Sequence, residues 1–216
     1  MKLSFTSKNQ EEEVLAPDVI LASQSIGRRG LMEKLGIRFR VAVTRLDEEK
    51  ITDPNPQKTI QKRAIAKANE VVENPRVYMV PEDRDVLVIA ADSMAVVGKK
   101  IYGKSADRDE AMKMIKELMG KSHVFTTTCH IVHMVKGKVK KTWTKTVETR
   151  VTLRKMTSPE LESYVARYDF TRFAAGYTLN ETPWDIVTKI DGSYTNVIGL
   201  PFEVLLPILR TVKIIE

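Results

Sequence analysis

Two carboxylates stand out as candidates for phosphate chemistry. Glu48 follows a β-type run, and Asp92 closes the apolar run 86–91. Hard oxygen ligands are what Mg²⁺ or Mn²⁺ takes when it bridges phosphates, so the pair suggests a divalent-cation site. Asp47 and Glu49 read as solvated loop acids, whereas Asp92 abuts a buried stretch. A second cluster, Ser23-Gln24-Ser25-Ile26-Gly27-Arg28-Arg29, falls between a short apolar run and a helix start. Hydroxyls, backbone N–H groups, guanidinium groups and the positive end of a helix can converge there on an anion. The same residues fit an ordinary N-cap by Ser25 with solvated arginines, and both readings stay open.

Residues 98–105 (GKKIYGKS) match the phosphate-binding loop template G-x-x-x-x-G-K-[ST]. That loop needs a strand feeding its first glycine and a helix opening at the Lys-Ser pair, so that successive N–H groups wrap the phosphates. Here the helix signal comes later, at Asp107, and the bulky Lys-Lys-Ile-Tyr interior reads as a turn and returning strand. His123, His130 and His133 include an H-x-x-H spacing, but residues three apart on a strand point to opposite faces and do not share a metal. The single cysteine, Cys129, lies in an apolar stretch and reads as packing. Among the aromatics, Trp184 is the best placed to meet a base, because it lies in an irregular segment.

These residues need elements to hold them. Residues 1–17 show no sustained period and end at Pro17, so they read as a poorly packed lead-in, with the domain spanning 18–216. The run 19–22 reads as a strand, followed by a loop and a helix carrying Leu31, Met32 and Leu35 up to Gly36. Alternation over 37–43 predicts a second strand running into the acidic loop. After Pro56 comes a helix with the stripe Ile60, Ala64, Ala68, Val71 and Val72, ending at Asn74-Pro75. Residues 86–91 predict a strand buried on both faces that stops at Asp92. Asp107 and Glu110 form a capping box for a helix ending at Gly120, and Thr157 to Glu160 give another helix start, ahead of Leu161, Tyr164, Val165 and Tyr168. The β-branched runs 124–135 and 139–153, joined by Lys136-Gly137-Lys138, predict a long hairpin with a basic tip, and a last helix follows Pro201. Strands alternating with helices around one hairpin indicate an α/β fold on a mixed sheet.

Composition narrows the function classes. The longest apolar run is far below the roughly 20 residues a bilayer-spanning helix needs, and Glu11, Glu12 and Glu13 stand where a secretory signal would be basic. A formal net charge of +7 favours anionic partners without choosing between nucleic acid and phosphorylated small molecules. The hairpin-tip lysines 136, 138, 140 and 141 read first as protection of an exposed strand edge, which makes nucleic acid a lesser candidate.

Taken in order, several blocks resemble the Maf family, also called septum-formation inhibitor-like proteins. They include Leu21-Ala22-Ser23-Gln24-Ser25, Leu46-Asp47-Glu48, Lys67-Ala68, Ala90-Ala91-Asp92-Ser93, Gly103-Lys104, Gly120-Lys121-Ser122-His123 and the stretch 196–201. The resemblance implies a fold similar to inosine triphosphate pyrophosphatases, an elongated mixed sheet with two lobes around a nucleotide cleft. It also implies hydrolysis of nucleoside triphosphates to monophosphate and pyrophosphate, with Mg²⁺ or Mn²⁺ as cofactor, in a cytoplasmic protein that is commonly a homodimer. By the same resemblance Asp92 is the proton acceptor, Glu48 with Asp92 a metal ligand, and Lys67 and Lys104 contact phosphates. Ser23, Ser25 and Arg28 complete the anion pocket, and Ser93 stands where the pyrimidine branch carries Thr.

Two departures bear on the base. Gly27 stands where the dTTP/UTP branch carries an arginine and the 7-methyl-GTP branch a tryptophan. A segment that reads Y-G-I-Q-G in the family is Tyr177-Thr178-Leu179-Asn180-Glu181 here, so Asn180 or Glu181 takes the glutamine position. The substrate expectation is therefore dTTP and UTP, or a modified nucleotide such as 7-methyl-GTP. The alternative is a catalytically lapsed nucleotide- or nucleic-acid-binding regulator of cell division.

Overall fold

The computed structural model of the protein describes residues 16–98, 100–167, 169–179 and 186–216. At its centre the apolar run starting at Val86 forms β3 (Val86–Val97). Its parallel neighbour β1 (Asp18–Leu21) pairs only as far as Leu21 opposite Ile89. On the other side β5 (Ser122–Val135) runs antiparallel and keeps pairing from Val86 opposite Met134 to Val96 opposite Val124. Asp92 therefore does not end the strand, as its position after the apolar run had suggested. It lies mid-strand, just past the last residue of β1, because the antiparallel ladder carries on where the parallel one stops.

The strand expected over 37–43 shrinks to β2 (Arg40–Val41), paired in parallel with Ile20 and Leu21. After Leu21 the first chain turns into the loop ahead of α1 (Ile26–Lys34) and offers no further partner. β5 and β6 (Lys138–Leu153) form the long hairpin. Its turn residues Lys136 and Gly137 both have positive φ, 48° and 72°, the left-handed pair whose twist suits a two-residue hairpin turn. β4 (Lys100–Tyr102) folds back antiparallel on β3, so a returning strand stands where the phosphate-binding template would put the interior of its loop. β7 (Val187–Asp191) pairs with the far end of β6. Among the described residues this gives a seven-stranded mixed sheet, path β2-β1-β3-β5-β6-β7, with β4 beside β3.

Alternation along the strands sorts side chains onto two cores. Val19, Leu21, Leu87, Ile89 and Ile131 share one with α1, α3 (Arg108–Leu118), α4 (Ser158–Arg167) and α6 (Phe202–Thr211). Ile20, Ala22, Val88 and Val132 share the other with Ala68 and Val71 of α2 (Pro56–Glu73). Helices thus flank both faces, the α/β arrangement the alternating pattern predicts. The capping boxes form as expected: Asp107 accepts from the Glu110 N–H at 2.8 Å, and the Glu160 carboxylate accepts from the Thr157 N–H at 2.7 Å. A short helix the sequence reading did not foresee, α5 (Tyr194–Ile198), is capped by Ser193 and closed by Gly199 at φ 110°. No described helix is long and apolar enough to cross a membrane.

Candidate active site

The buried face of α2 carries Ile60, Ala64, Ala68 and Val71, and among them one charged residue, Lys67, only 5% exposed. A buried ammonium is strongly destabilising unless opposite charges and hydrogen-bond acceptors surround it. Lys67 Nζ donates to Asp92 Oδ1 at 2.7 Å and to the Ala91 carbonyl at 3.3 Å, and pairs with Glu48 Oε2 at 2.6 Å. Glu48 opens a single 3₁₀ turn, Glu48–Lys50, in the loop between β2 and α2. The two acids singled out from the sequence therefore meet, each within one ion-pair length of the same nitrogen. Asp92 Oδ2 is buried without a hydrogen-bond partner among the described residues. Leaving such an oxygen unsatisfied costs about 1–3 kcal/mol or more, so a donor or cation supplied by a ligand would relieve it.

Ser23, Ser25 and Arg28 take up the loop between β1 and α1. Ser25 caps α1 by accepting from the Arg28 N–H at 3.4 Å, so the plain capping reading holds. The arginines then divide. Arg29 is exposed and paired with Glu33, whereas Arg28 is buried. Its Nε donates to the Gly199 carbonyl at 2.8 Å, Nη1 to Ser23 Oγ at 3.1 Å and Nη2 to Ser93 Oγ at 2.8 Å. Each guanidinium nitrogen is thus engaged, and Arg28 clips together three segments. Ser93 also contacts Thr127 Oγ1 at 2.9 Å, and that hydroxyl donates to the Asn196 carbonyl at 3.0 Å. With the Thr127 proton committed, Ser93 accepts from Arg28 and donates to Thr127. Asn196, fully buried, anchors α5 by donating to the Phe125 carbonyl at 3.0 Å and Thr149 Oγ1 at 2.9 Å.

Ser23, Ser25, Arg28, Glu48, Lys67, Asp92 and Ser93 line one cavity of about 780 Å³, within the range of small-molecule sites. Lys104 stands on its wall and is exposed to the opening. Its ammonium is nevertheless held below the usual lysine pKa, first by desolvation among the surrounding protein atoms and then by the positive charge of Arg28. Glu48 pulls the other way, Lys67 lowers it further and Asp92 raises it. Beside these charges the wall carries an apolar set, Met94, Phe125, Phe173, Ala174, Val197 and Ile198. Cationic side chains, paired acids and an apolar wall in one cavity suit a ligand with an anionic tail and a flat ring. Residues 18–212 match the family model described as Maf-like protein.

The chain belongs to the Maf family.

Among its relatives, a dTTP/UTP pyrophosphatase of Chelativorans sp. (strain BNC1) is 35% identical over 187 residues, 86% of each chain. Another dTTP/UTP pyrophosphatase, from Caldanaerobacter subterraneus subsp. tengcongensis, is 31% identical over 192 residues, 89% of this chain and 87% of the relative. A solved HAM1 protein from Coxiella burnetii is similar over 90% of this chain and 99% of its own at 17% identity, with a TM-score of 0.46.

In this Maf chain the histidines stay apart, as the strand spacing predicts: His130 Nδ1 meets Thr144, His133 Nε2 meets Asp85, and His123 Nε2 meets the Tyr177 hydroxyl at 2.7 Å. Cys129 is buried, and burial pushes its thiol up to about 12, which fits packing. Asn180, Glu181 and Trp184 lie outside the described residues, as does Tyr168. Sequence reasoning assigned no role to Thr127, Asn196 or Gly199, which hold Arg28 and Ser93 in place. The readable signal was Ser193 followed by Gly199, the start and stop of a short helix. It also missed Tyr177 and Thr178 as cavity-lining residues, along with Arg63 and Arg172.

Proposed function

We propose that this Maf chain hydrolyses nucleoside triphosphates to nucleoside monophosphate and pyrophosphate, with dTTP and UTP as substrates. The observation that carries the reading is Lys67 bonded to both Glu48 and Asp92 inside a nucleotide-sized cavity that also holds Lys104. The pyrimidine preference is supported by the relatives named dTTP/UTP pyrophosphatase. Asp92 accepts the proton of the attacking water, a role that suits a buried carboxylate whose second oxygen has no partner among the described residues. Lys104 and Lys67 neutralise phosphate oxygens as point charges, and the hydroxyls and N–H groups of Ser23 and Ser25 bind others. Arg28 acts mainly by holding the Ser23 loop, Ser93 and Gly199 in register.

The donor set fits a divalent cation of the Mg²⁺ or Mn²⁺ type, because two adjacent carboxylates are available and one of their oxygens is unpartnered. Glu48 and Asp92 would hold it, and it would supply charge neutralisation on the phosphates. A single cysteine and the acidic run 11–13 where a secretory signal would be basic favour the cytoplasm, and by family resemblance the protein is a homodimer in which Asn180 or Glu181 contacts the base. The test is pyrophosphate release from dTTP, UTP, CTP, GTP and 7-methyl-GTP with Mg²⁺ or Mn²⁺. The expected ranking puts dTTP and UTP first; orthophosphate as the product, or no turnover of any triphosphate, defeats the reading.

A further inference from the structure

The cluster around Lys67 carries one more step, which rests on the reading just given. The Lys67 ammonium lies between Glu48 Oε2 and Asp92 Oδ1, at 2.6 and 2.7 Å, the position a cation bridging the two acids would take. Among the described residues no group of three or more His, Cys, Asp or Glu is gathered to hold a metal ion. The described residues thus bring this acid pair, and an octahedral ion would need further oxygens, such as those of water or phosphate, for its other ligands. Charge points the same way. Arg28 and Lys104 lie within electrostatic reach of the same two acids, although the cavity wall as a whole is balanced, with Arg28, Arg63, Lys67, Lys104 and Arg172 against Asp47, Glu48, Glu49, Asp53 and Asp92. The Lys67 ammonium itself fills the space between the two acids, and a free dication would have to enter against it.

We infer that Lys67 is a resident counter-ion that closes the acid pair to free divalent metal, so that the metal enters with the nucleotide's phosphates and not before them. A triphosphate in the cavity reverses the local sign of charge and offers the ammonium new oxygens, freeing the carboxylates. The buried, unpartnered Asp92 Oδ2 is the independent sign that this site has unused capacity for a cation. Removing the charge of Lys67 should then open a metal site that the native chain lacks without its nucleotide.

The experiment follows Mn²⁺ by the electron spin resonance of the free ion, which needs no turnover, with the full chain and the non-hydrolysable α,β-imido-dUTP. The native chain alone should leave Mn²⁺ free, and the chain with the analogue should retain it beyond what the analogue binds by itself. Lys67→Met should retain Mn²⁺ without nucleotide at least about tenfold more tightly than the native chain, while Lys67→Arg, which keeps the charge, should not. Native chain that binds Mn²⁺ equally well with and without the analogue overturns the inference, as does folded Lys67→Met that gains nothing. The native comparison decides the matter even if Lys67→Met does not fold. Parallel triphosphate assays separate the two readings. Absent turnover with a gained site in Lys67→Met removes the activity and leaves the counter-ion role, whereas normal turnover with Mn²⁺ already bound to the bare native chain does the reverse.

Discussion

Asp92 shows how much depends on a single oxygen. One of its carboxylate oxygens is fixed by Lys67 and the other is buried without a partner, so the group is oriented yet retains capacity to take a proton. Asp92→Asn keeps the shape and removes that capacity. Its kcat for pyrophosphate release should fall by about 10²–10⁴, the usual contribution of a positioned proton acceptor, with the far-UV spectrum unchanged. A variant that retains nearly full kcat would rule Asp92 out as the base. His123 gives a different single-residue expectation. It is buried against Tyr177, and desolvation pulls its pKa from 6.5 to about 4. Above pH 6.5 the imidazole is neutral in both folded and unfolded chains and contributes no pH dependence. Below that, the unfolded chain binds the proton and the folded chain resists it, so stability falls as pH drops from 6.5 towards 4, by up to about 3 kcal/mol. His130, also lowered by burial, adds to the loss in the same direction. Urea melts across that range should show the loss, and His123→Gln should flatten it; an unchanged slope in the variant counts against His123 as the cause.

At the level of elements, α5 and its closing glycine decide whether Arg28 can do its work. Gly199 has φ 110°, and a Cβ there would lie 3.1 Å from Ser93 Oγ and 3.2 Å from Arg28 Nε. Gly199→Ala therefore combines backbone strain with a push on the clip that joins β3, α5 and the β1–α1 loop. A loss of about 1–3 kcal/mol is expected, together with a raised KM for the triphosphate. Urea melts and steady-state kinetics check both, and an unaltered KM would detach the clip from substrate binding. The same region shows what the sequence could and could not disclose. Capping boxes such as Asp107 with Glu110 were legible because donor and acceptor lie within one turn of chain. The end of a strand was not, because it depends on how long the neighbouring strands run. Residues 37–43 alternate as a strand should, yet β1 offers partners for only two of them. Arg28 and Gly199 meet across 171 positions, and no local pattern signals that contact.

For the molecule as a whole, the strong signals were the two buried faces of the sheet, one acid on it and one in a loop beside it. Glu48 and Asp92 could be named from their chemistry and their place beside strands. The lysine between them followed only from family resemblance, because a lysine on a helix stripe ordinarily reads as a solvated residue. The hairpin was legible from its turn, and that turn has a further consequence. β5 and β6 meet first where the intervening chain is shortest, at Val135 opposite Lys138 and then Met134 opposite Val139, whereas Phe125 opposite Thr149 closes a much larger loop. Loop-closure entropy makes the near contacts quicker to form, so the ribbon should zip from its lysine-rich tip inwards. Pulsed hydrogen exchange during refolding should protect the amides around Met134 before those around Phe125, and simultaneous or reversed protection would contradict this order. Phe125 belongs to the cavity wall, so within this hairpin the part that shapes the cavity would close only after the distant lysine-rich end.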